Sequence, residues 1–191
     1  MYNKTLVVLL SGKAGAGKTY ISNILQSKFE KMGLNSIRSA FAIGIKEIAT
    51  RYIGWDGIKD EKGRKLLQTL GTEVGRVYDP DCWIKYMLSK LENSSRYPYD
   101  VIIVDDWRFP NEYEYFKDDP SFSVVKIRII PQNTVDYLIS GDCKLHKSEL
   151  SLPEDGEYYE IVYHNNYNSE TAELTMTNTA NLIDSWQSKY K

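Results

Sequence analysis

Residues 12–19 read GKAGAGKT, and only Ser11 separates them from the apolar run TLVVLL at residues 5–10. The octapeptide matches the pattern G-x-x-x-x-G-K-[ST] at every fixed position, which is typical of a phosphate-binding loop between a strand and a helix. Small residues let the backbone curl so that successive N–H groups point at phosphate oxygens, and the helix adds the positive end of its dipole. The stretch therefore predicts a buried strand, a phosphate loop and a helix, in that order.

Two positions of this loop have specific expected roles. Lys18 is expected to bring its ammonium group to the β- and γ-phosphates of ATP, and the hydroxyl of Thr19 is a candidate Mg²⁺ ligand. A glycine-rich turn without a ligand is the alternative, and the complete motif in its strand-to-helix context argues against it. The residues expected to hold ATP are Gly12, Gly15, Ala16, Gly17, Lys18 and Thr19.

The rest of the chain alternates apolar strand patterns with helical periodicity. Such alternation predicts an α/β fold with a parallel sheet. Further strands are predicted over residues 36–38, 101–104, 123–130 and 159–163, and a last helix over 179–190.

Residues 43–93 are predicted to be mostly helical. Glycine inside a helix costs about 1 kcal/mol relative to alanine, so Gly71 and Gly75 suggest a break, a close packing contact or a ligand. The apolar stripe that contains these glycines is Leu66, Leu67, Leu70, Val74 and Val77.

Composition is that of one ordinary domain. The chain has 191 residues, of which 42% are hydrophobic and 26% charged, so it can bury a full core without disulfides. A net charge of −2 disfavours general nucleic-acid binding, and the apolar run at 5–10 is too short to span a membrane. Cys82 and Cys143 lie outside any CxxC spacing, so we expect free thiols in a cytoplasmic protein.

Two carboxylates, Asp105 and Asp106, follow the strand predicted over 101–104. In phosphate-loop proteins a carboxylate at this position holds Mg²⁺ or its water, so both join Thr19 as metal candidates. An N-cap or turn role is the structural alternative.

The phosphate loop fits a switch, a motor or a small-molecule kinase. A switch GTPase needs an N-K-x-D segment to read guanine, and the sequence has none. The further domains or basic surface of a motor are not evident either, so the short chain favours a small-molecule kinase.

Five further stretches resemble the phage deoxynucleoside monophosphate kinase family, within the nucleoside monophosphate kinase superfamily. They are FAIGIKEIA at 41–49, GWDG at 54–57, LLQTLGTEVGR at 66–76, DDWRFPNE at 105–112 and HKSE at 146–149. The resemblance implies transfer of the γ-phosphoryl group of ATP to a deoxynucleoside monophosphate, giving ADP and a deoxynucleoside diphosphate.

The resemblance also implies an architecture. It is a single P-loop kinase domain over 1–191, adenylate-kinase-like, with a five-stranded parallel sheet flanked by helices. A helical monophosphate-binding insert would occupy 41–93 and a lid 131–157.

The acceptor site is expected to contain arginines, because the guanidinium fork matches phosphate oxygens. Arg108 lies just past the strand end, at the sheet edge where ligands bind, and Arg76 beside the insert glycines is a second candidate. By resemblance Gln68 and Thr72 line the pocket, and Trp55 is a candidate for stacking on the base. The residues expected to act in catalysis are Lys18, Arg76, Asp105 and Arg108.

The predicted lid departs from the superfamily pattern. Such lids usually close over ATP phosphates with arginines, and no arginine follows Arg128 in this sequence. Arg128 itself is a substitute if it lies near the end of its strand. The other cations available to the lid are Lys144, His146 and Lys147.

Two other functions stay open. One is a same-fold kinase for a different phosphate, phosphomevalonate-kinase-like, against which the block at 66–76 argues. The other is a non-catalytic ATP-binding regulatory module, which would bind ATP without acceptor-stimulated turnover. The expected cofactors are ATP and Mg²⁺, and the expected partners are small-molecule nucleotides, with no nucleic acid or membrane. Either a monomer or a homodimer is compatible with the sequence.

Overall fold

A five-stranded sheet forms the centre of the computed structural model, which describes residues 4–131, 146–154 and 156–166, together with 177, 181 and 188. Every neighbouring pair of strands is parallel, in the spatial order β2-β3-β1-β4-β5. The α/β fold class expected from the sequence is therefore confirmed. The strands are β1 (Thr5–Ser11), β2 (Ser36–Ser39), β3 (Val101–Val104), β4 (Phe122–Pro131) and β5 (Ile161–Asn165).

Helices flank the sheet. A π-helical segment, Thr69–Arg76, continues directly from α3, and a turn of 3-10 helix occupies Gly156–Tyr158. Three α-helices and the π-helical segment fall between β2 and β3 in the chain, within the predicted insert over 41–93. The α-helices are α1 (Lys18–Lys31), α2 (Ile43–Ile53), α3 (Glu61–Gln68), α4 (Cys82–Glu92), α5 (Pro110–Lys117) and α6 (Lys147–Leu150).

Both faces of the sheet are buried. On β1, Leu6, Val8 and Leu10 pack with α1 on one face, whereas Val7 and Leu9 pack with the insert helices and α5 on the other. Burying each such side chain fully contributes about 1.5–3 kcal/mol. This two-sided burial explains why β1 and β3 are continuous apolar runs.

The apolar stripe predicted over residues 66–77 is wrong at its C-terminal end. Val74 and Val77 are 59% and 76% exposed. The π-helical segment has hydrogen bonds from i to i+5, so its wider turn rotates side chains away from the positions that 3.6-residue periodicity assigns. Trp83 of α4 packs against this segment instead, since a Cβ on Gly75 would lie 2.5 Å from its Cζ2.

Some predicted features fall partly or wholly outside the described residues. These are the helix over 179–190, apart from positions 181 and 188, the lid residues 132–145 and 155, and Cys143. Cys82 is a free thiol. Within the described ranges, no helix has the length and apolar character needed to cross a bilayer.

Candidate active site

The phosphate loop turns from β1 into α1 through three glycines at positive φ: Gly12, Gly15 and Gly17 at 152°, 79° and 92°. A Cβ on Gly12 would lie 2.5 Å from the carbonyl oxygen of Ile129, so β4 leaves no room for a side chain there. No side chain caps α1, and its first turn has no acidic residue. The positive end of the α1 dipole therefore has no carboxylate in its own first turn, which favours a bound anion.

Hydrogen bonds hold the loop in this shape. Nζ of Lys18 donates to the carbonyl oxygens of Gly12 and Lys13 at 2.6 and 2.9 Å. Ala16 is buried, and its carbonyl oxygen accepts a hydrogen bond from Nδ2 of Asn165, the last residue of β5, at 3.0 Å. Sequence analysis missed Asn165, which belongs to no recognisable motif.

A cavity of about 890 Å³ lies beside the loop, and we call it the donor cavity. It brings together most of the residues predicted to bind ATP and metal: Gly15, Gly17, Lys18, Thr19, Asp105 and Asp106. Gly12 lines a separate cavity of about 20 Å³ that also contains Arg128, which therefore lies close to the phosphate loop.

Asp105 is held at the floor of the donor cavity by two partners. Its Oδ2 accepts hydrogen bonds from Oγ of Ser22 at 3.2 Å and from Nη2 of Arg38 at 3.1 Å. Arg38 lines the same cavity, although nothing in the sequence distinguished it from a solvated surface charge. These contacts fix the orientation of the Asp105 carboxylate toward α1 and β2.

Asp106 serves a different structural role. Its Oδ1 and Oδ2 accept the backbone N–H groups of Phe41 and Ala42 at 2.8 and 3.0 Å, which ties the end of β3 to the start of α2. Burial raises the pKa of Asp106, an effect that these backbone hydrogen bonds oppose. Both carboxylate oxygens are engaged, so Asp105 is the better placed of the pair to reach a metal-bound water.

The donor cavity fits a magnesium ion brought in with a nucleotide. Thr19 is exposed, and with Asp105 it offers hydroxyl and carboxylate oxygens, the hard donors that Mg²⁺ prefers. The part of the chain that the structure describes has no group of three or more His, Cys, Asp or Glu able to hold a metal. An ion here would therefore complete its shell with phosphate oxygens and water.

A second cavity, of about 160 Å³, lies between the insert and the carboxyl edge of the sheet, and we call it the acceptor cavity. Four of the five residues predicted to bind the acceptor line it: Gln68, Thr72, Arg76 and Arg108. Apolar walls come from Phe41, Ile45, Leu67 and Phe109.

Trp55, the fifth predicted acceptor residue, lines neither cavity. Its Nε1 donates to the carbonyl oxygen of Ile58 at 2.9 Å. The indole also packs over α3, since a Cβ on Gly63 would lie 2.8 Å from the same nitrogen. Trp55 thus stabilises the loop before α3.

The two cavities meet at five residues that line both: Lys46, Lys59, Arg64, Asp106 and Arg108. We call this set the shared rim. Sequence analysis missed Lys59 and Arg64, because single cations on an insert look the same as solvated surface charges.

Positive charge dominates the shared rim. The pKa of Lys59 is lowered, first by burial and then by the charges of Lys46, Arg64 and Arg108, although its side chain stays open to solvent. These groups repel one another, so an anion bound among them would be stabilised. The charge of the rim is therefore suited to an anionic ligand.

The described end of the predicted lid contacts the acceptor side. Nη1 of Arg108 donates to the carbonyl oxygen of Ser148 in α6 at 3.0 Å. His146 caps α6 through Nδ1, which accepts the Ser148 N–H at 3.2 Å, and its Nε2 lies 3.6 Å from Oε1 of Glu73. Neither His146 nor Lys147 lines the donor or acceptor cavity. Lys144 lies outside the described residues.

Comparison with known proteins adds little to this site. No family model matches the chain, and no curated protein matches it either. The chain is similar in structure to APS kinase from Mycobacterium tuberculosis, with 9% identity, coverage of 93% of this chain and 98% of that chain, and a TM-score of 0.45. It is also similar to shikimate kinase from Bacteroides thetaiotaomicron, with 12% identity, 94% and 98% coverage, and a TM-score of 0.43. At these values neither likeness bears on substrate, so the functional argument rests on the two cavities.

Proposed function

We propose that the chain is an ATP-dependent kinase that transfers the γ-phosphoryl group to a deoxynucleoside monophosphate, giving ADP and a deoxynucleoside diphosphate. The observation that supports this most is the shared rim, where a cavity lined by a phosphate loop meets one lined by Gln68, Thr72 and Arg76. ATP would occupy the donor cavity. The acceptor would occupy the other, with its phosphate at the rim.

Transfer in this arrangement is a single displacement. An oxygen of the acceptor phosphate attacks the γ-phosphorus, and the bond from that phosphorus to the β–γ bridging oxygen breaks as the new one forms. ADP leaves with the bond's electron pair. A phosphate monoester has its second pKa at about 6, so it is largely ionised at neutral pH and needs no strong base.

The protein's contribution is positioning and charge neutralisation. Lys18 would contact the β- and γ-phosphates, while Arg76 and Arg108 would hold the acceptor phosphate. The cations of the shared rim would offset the repulsion between the two substrates. Magnesium bound with ATP would add further neutralisation of the phosphate oxygens, held by Thr19 and by a water on Asp105.

Release of ADP tests the proposal directly. Mg·ATP is offered with each of the four deoxynucleoside monophosphates, their ribonucleotide counterparts and mevalonate phosphate. We expect at least one deoxynucleoside monophosphate to stimulate ADP release and mevalonate phosphate to have no effect. Fastest turnover with mevalonate phosphate would contradict the proposal, and so would tight ATP binding that no acceptor converts into turnover.

A matched pair of lysine variants assigns the activity to this site. Lys18→Ala should lower turnover by about 10²–10³-fold, the usual loss when one charge-stabilising group is removed. Lys31→Ala, at an exposed position of the same helix, should retain wild-type turnover. Unchanged ADP production by a folded Lys18→Ala protein would overturn the assignment.

A further inference from the structure

Glu112, in the first turn of α5, is a buried carboxylate on the wall of the acceptor cavity, only 1% exposed. Its Oε2 accepts the backbone N–H groups of Arg108 at 2.8 Å and Phe109 at 3.0 Å. Its Oε1 accepts a hydrogen bond from Nη2 of Arg76. One carboxylate thus accepts hydrogen bonds from both predicted phosphate-binding arginines, from the side chain of Arg76 and from the backbone of Arg108.

Helix capping explains only part of this arrangement. Phe109 is the N-cap of α5 and Glu112 its third residue, so the bond to the Phe109 N–H is that of a capping box. Such a cap requires neither a buried carboxylate nor an arginine partner. Burial raises the pKa of Glu112 to about 7, despite the opposing effect of Arg76, so the carboxylate is held here at a cost in stability.

Arg76 gains a fixed orientation from these contacts. It comes from the π-helical segment, 36 residues before Glu112 in the chain. Its Nη1 donates to the carbonyl oxygen of Gly71 at 3.1 Å, and its guanidinium carbon lies 4.2 Å from the ring centroid of Phe109. Its Nε is buried and has no hydrogen-bond partner among the described residues. Contacts with Glu112, Gly71 and Phe109 therefore fix the orientation of the guanidinium group. A guanidinium has five N–H donors, so others remain for a ligand.

We propose that Glu112 is a positioning residue that locks Arg76 of the insert and Arg108 of the sheet edge into one geometry, so that both meet the same acceptor phosphate. This inference rests on the proposed function, because it takes the acceptor cavity as the acceptor's site. Two arginines strengthen phosphate binding most when neither has to reorganise. Glu112 bonds to the side chain of Arg76 and to the backbone N–H of Arg108. The side chain of Arg108 is held in turn by the carbonyl oxygen of Ser148.

Glu112→Gln is the first test, because the amide keeps the size of the side chain and removes its charge. Dissociation constants are measured by titration calorimetry at about pH 8, where the wild-type carboxylate is ionised, for orthophosphate, each deoxynucleoside monophosphate and ATP. We expect acceptor and orthophosphate affinity to fall about tenfold or more and ATP affinity to change by less than about twofold. Glu114→Gln, at an exposed position of the same helix, should match the wild type.

A double-mutant cycle with Arg76→Lys separates positioning from general structural damage. If Glu112 acts through Arg76, the double variant should bind the acceptor no more weakly than Arg76→Lys alone. Fully additive losses, equal losses for ATP and acceptor, or wild-type acceptor affinity in Glu112→Gln would each overturn the inference. Calorimetry measures binding without turnover, so the two proposals can fail separately. A wild-type protein that binds phosphates without transferring them would refute the proposed function, while the expected loss of acceptor affinity in Glu112→Gln would still support the positioning role of Glu112. A wild type that binds neither orthophosphate nor any monophosphate would overturn both.

Discussion

The side-chain amide of Asn165 donates a hydrogen bond to the carbonyl oxygen of Ala16 at 3.0 Å, which joins the end of edge strand β5 to the phosphate loop across 149 residues of sequence. A Cβ on Gly17 would lie 2.4 Å from the same amide nitrogen. The loop is therefore shaped by a distant strand as well as by its own glycines.

Asn165→Ala should loosen the phosphate loop. It leaves the buried carbonyl of Ala16 without this partner, which costs about 1–3 kcal/mol. We expect a lower free energy of unfolding in urea and a KM for ATP raised several-fold, with the KM for the acceptor unchanged. His164→Ala, at the exposed preceding position of β5, is the control. A destabilised Asn165→Ala protein with a normal KM for ATP would show that the amide serves only the fold.

Arg64→Ala should raise the KM for both substrates, because Arg64 lines both cavities. The effect is electrostatic, so the difference from wild type should shrink as potassium chloride screens the rim. Initial rates over a salt series measure it. Lys65→Ala, at the exposed next position of α3, should leave both KM values at their wild-type level. A change in the KM of one substrate only would argue against a shared rim.

Glu112 should make the folded protein less stable as the pH rises. Burial raises the pKa of Glu112 from 4.5 to about 7, so the folded chain holds this proton more tightly than the unfolded chain. The resulting stabilisation is complete below pH 4.5 and is lost as the pH rises through about 7, with a slope of at most about 1.4 kcal/mol per pH unit.

Glu112→Gln should remove that slope, because a glutamine resembles the protonated carboxyl group at every pH. Free energies of unfolding in urea, measured for both proteins from pH 4.5 to 8, give the difference curve. We expect the free energy of unfolding of Glu112→Gln, relative to that of the wild type, to increase as the pH rises. A flat difference curve would mean that folding does not raise the pKa of Glu112.

Gly75→Ala should disturb the packing between the π-helical segment and α4. The new Cβ would lie 2.5 Å from Cζ2 of Trp83, whose Nε1 donates to the carbonyl oxygen of Gly71 at 2.9 Å. The indole has to shift, which should lower the free energy of unfolding by about 1–3 kcal/mol. Urea unfolding measures this loss, and tryptophan fluorescence should report the shift. Val77→Ala, 76% exposed, should alter stability by no more than about 0.5 kcal/mol. Equal effects of the two substitutions would contradict this account.

The fold was largely predictable because its signals are local. The strand β1 and the loop after it follow from an apolar run and a complete motif, and β3 from VIIV at 101–104. Prediction failed where the helix changed type: Val74 and Val77 fit a 3.6-residue period that the wider π-helical turn does not keep.

The lining of the cavities was predictable where residue type and position agreed, as for Arg108 directly past a strand end. It was not predictable where separate segments meet. Lys59 and Arg64 become functional candidates only because the loop after α2 and the helix α3 bring them to the cavities that Asp106 and Arg108 also line. The aromatic side chain of Trp55 suggested stacking on a base, but in the structure its indole N–H donates to the carbonyl oxygen of Ile58.

Some residues around the shared rim line one cavity and others line both, which limits where substitutions can change substrate preference. Gln68, Leu67 and Thr72 line the acceptor cavity and not the donor cavity, so under the proposed function we expect that exchanging them changes acceptor preference and leaves ATP binding unchanged. Substitutions at Lys46, Lys59 or Arg64, which line both cavities, are expected to affect both ligands together. Under the proposed function, new selectivity is therefore expected to arise along the insert wall, with the rim kept unchanged.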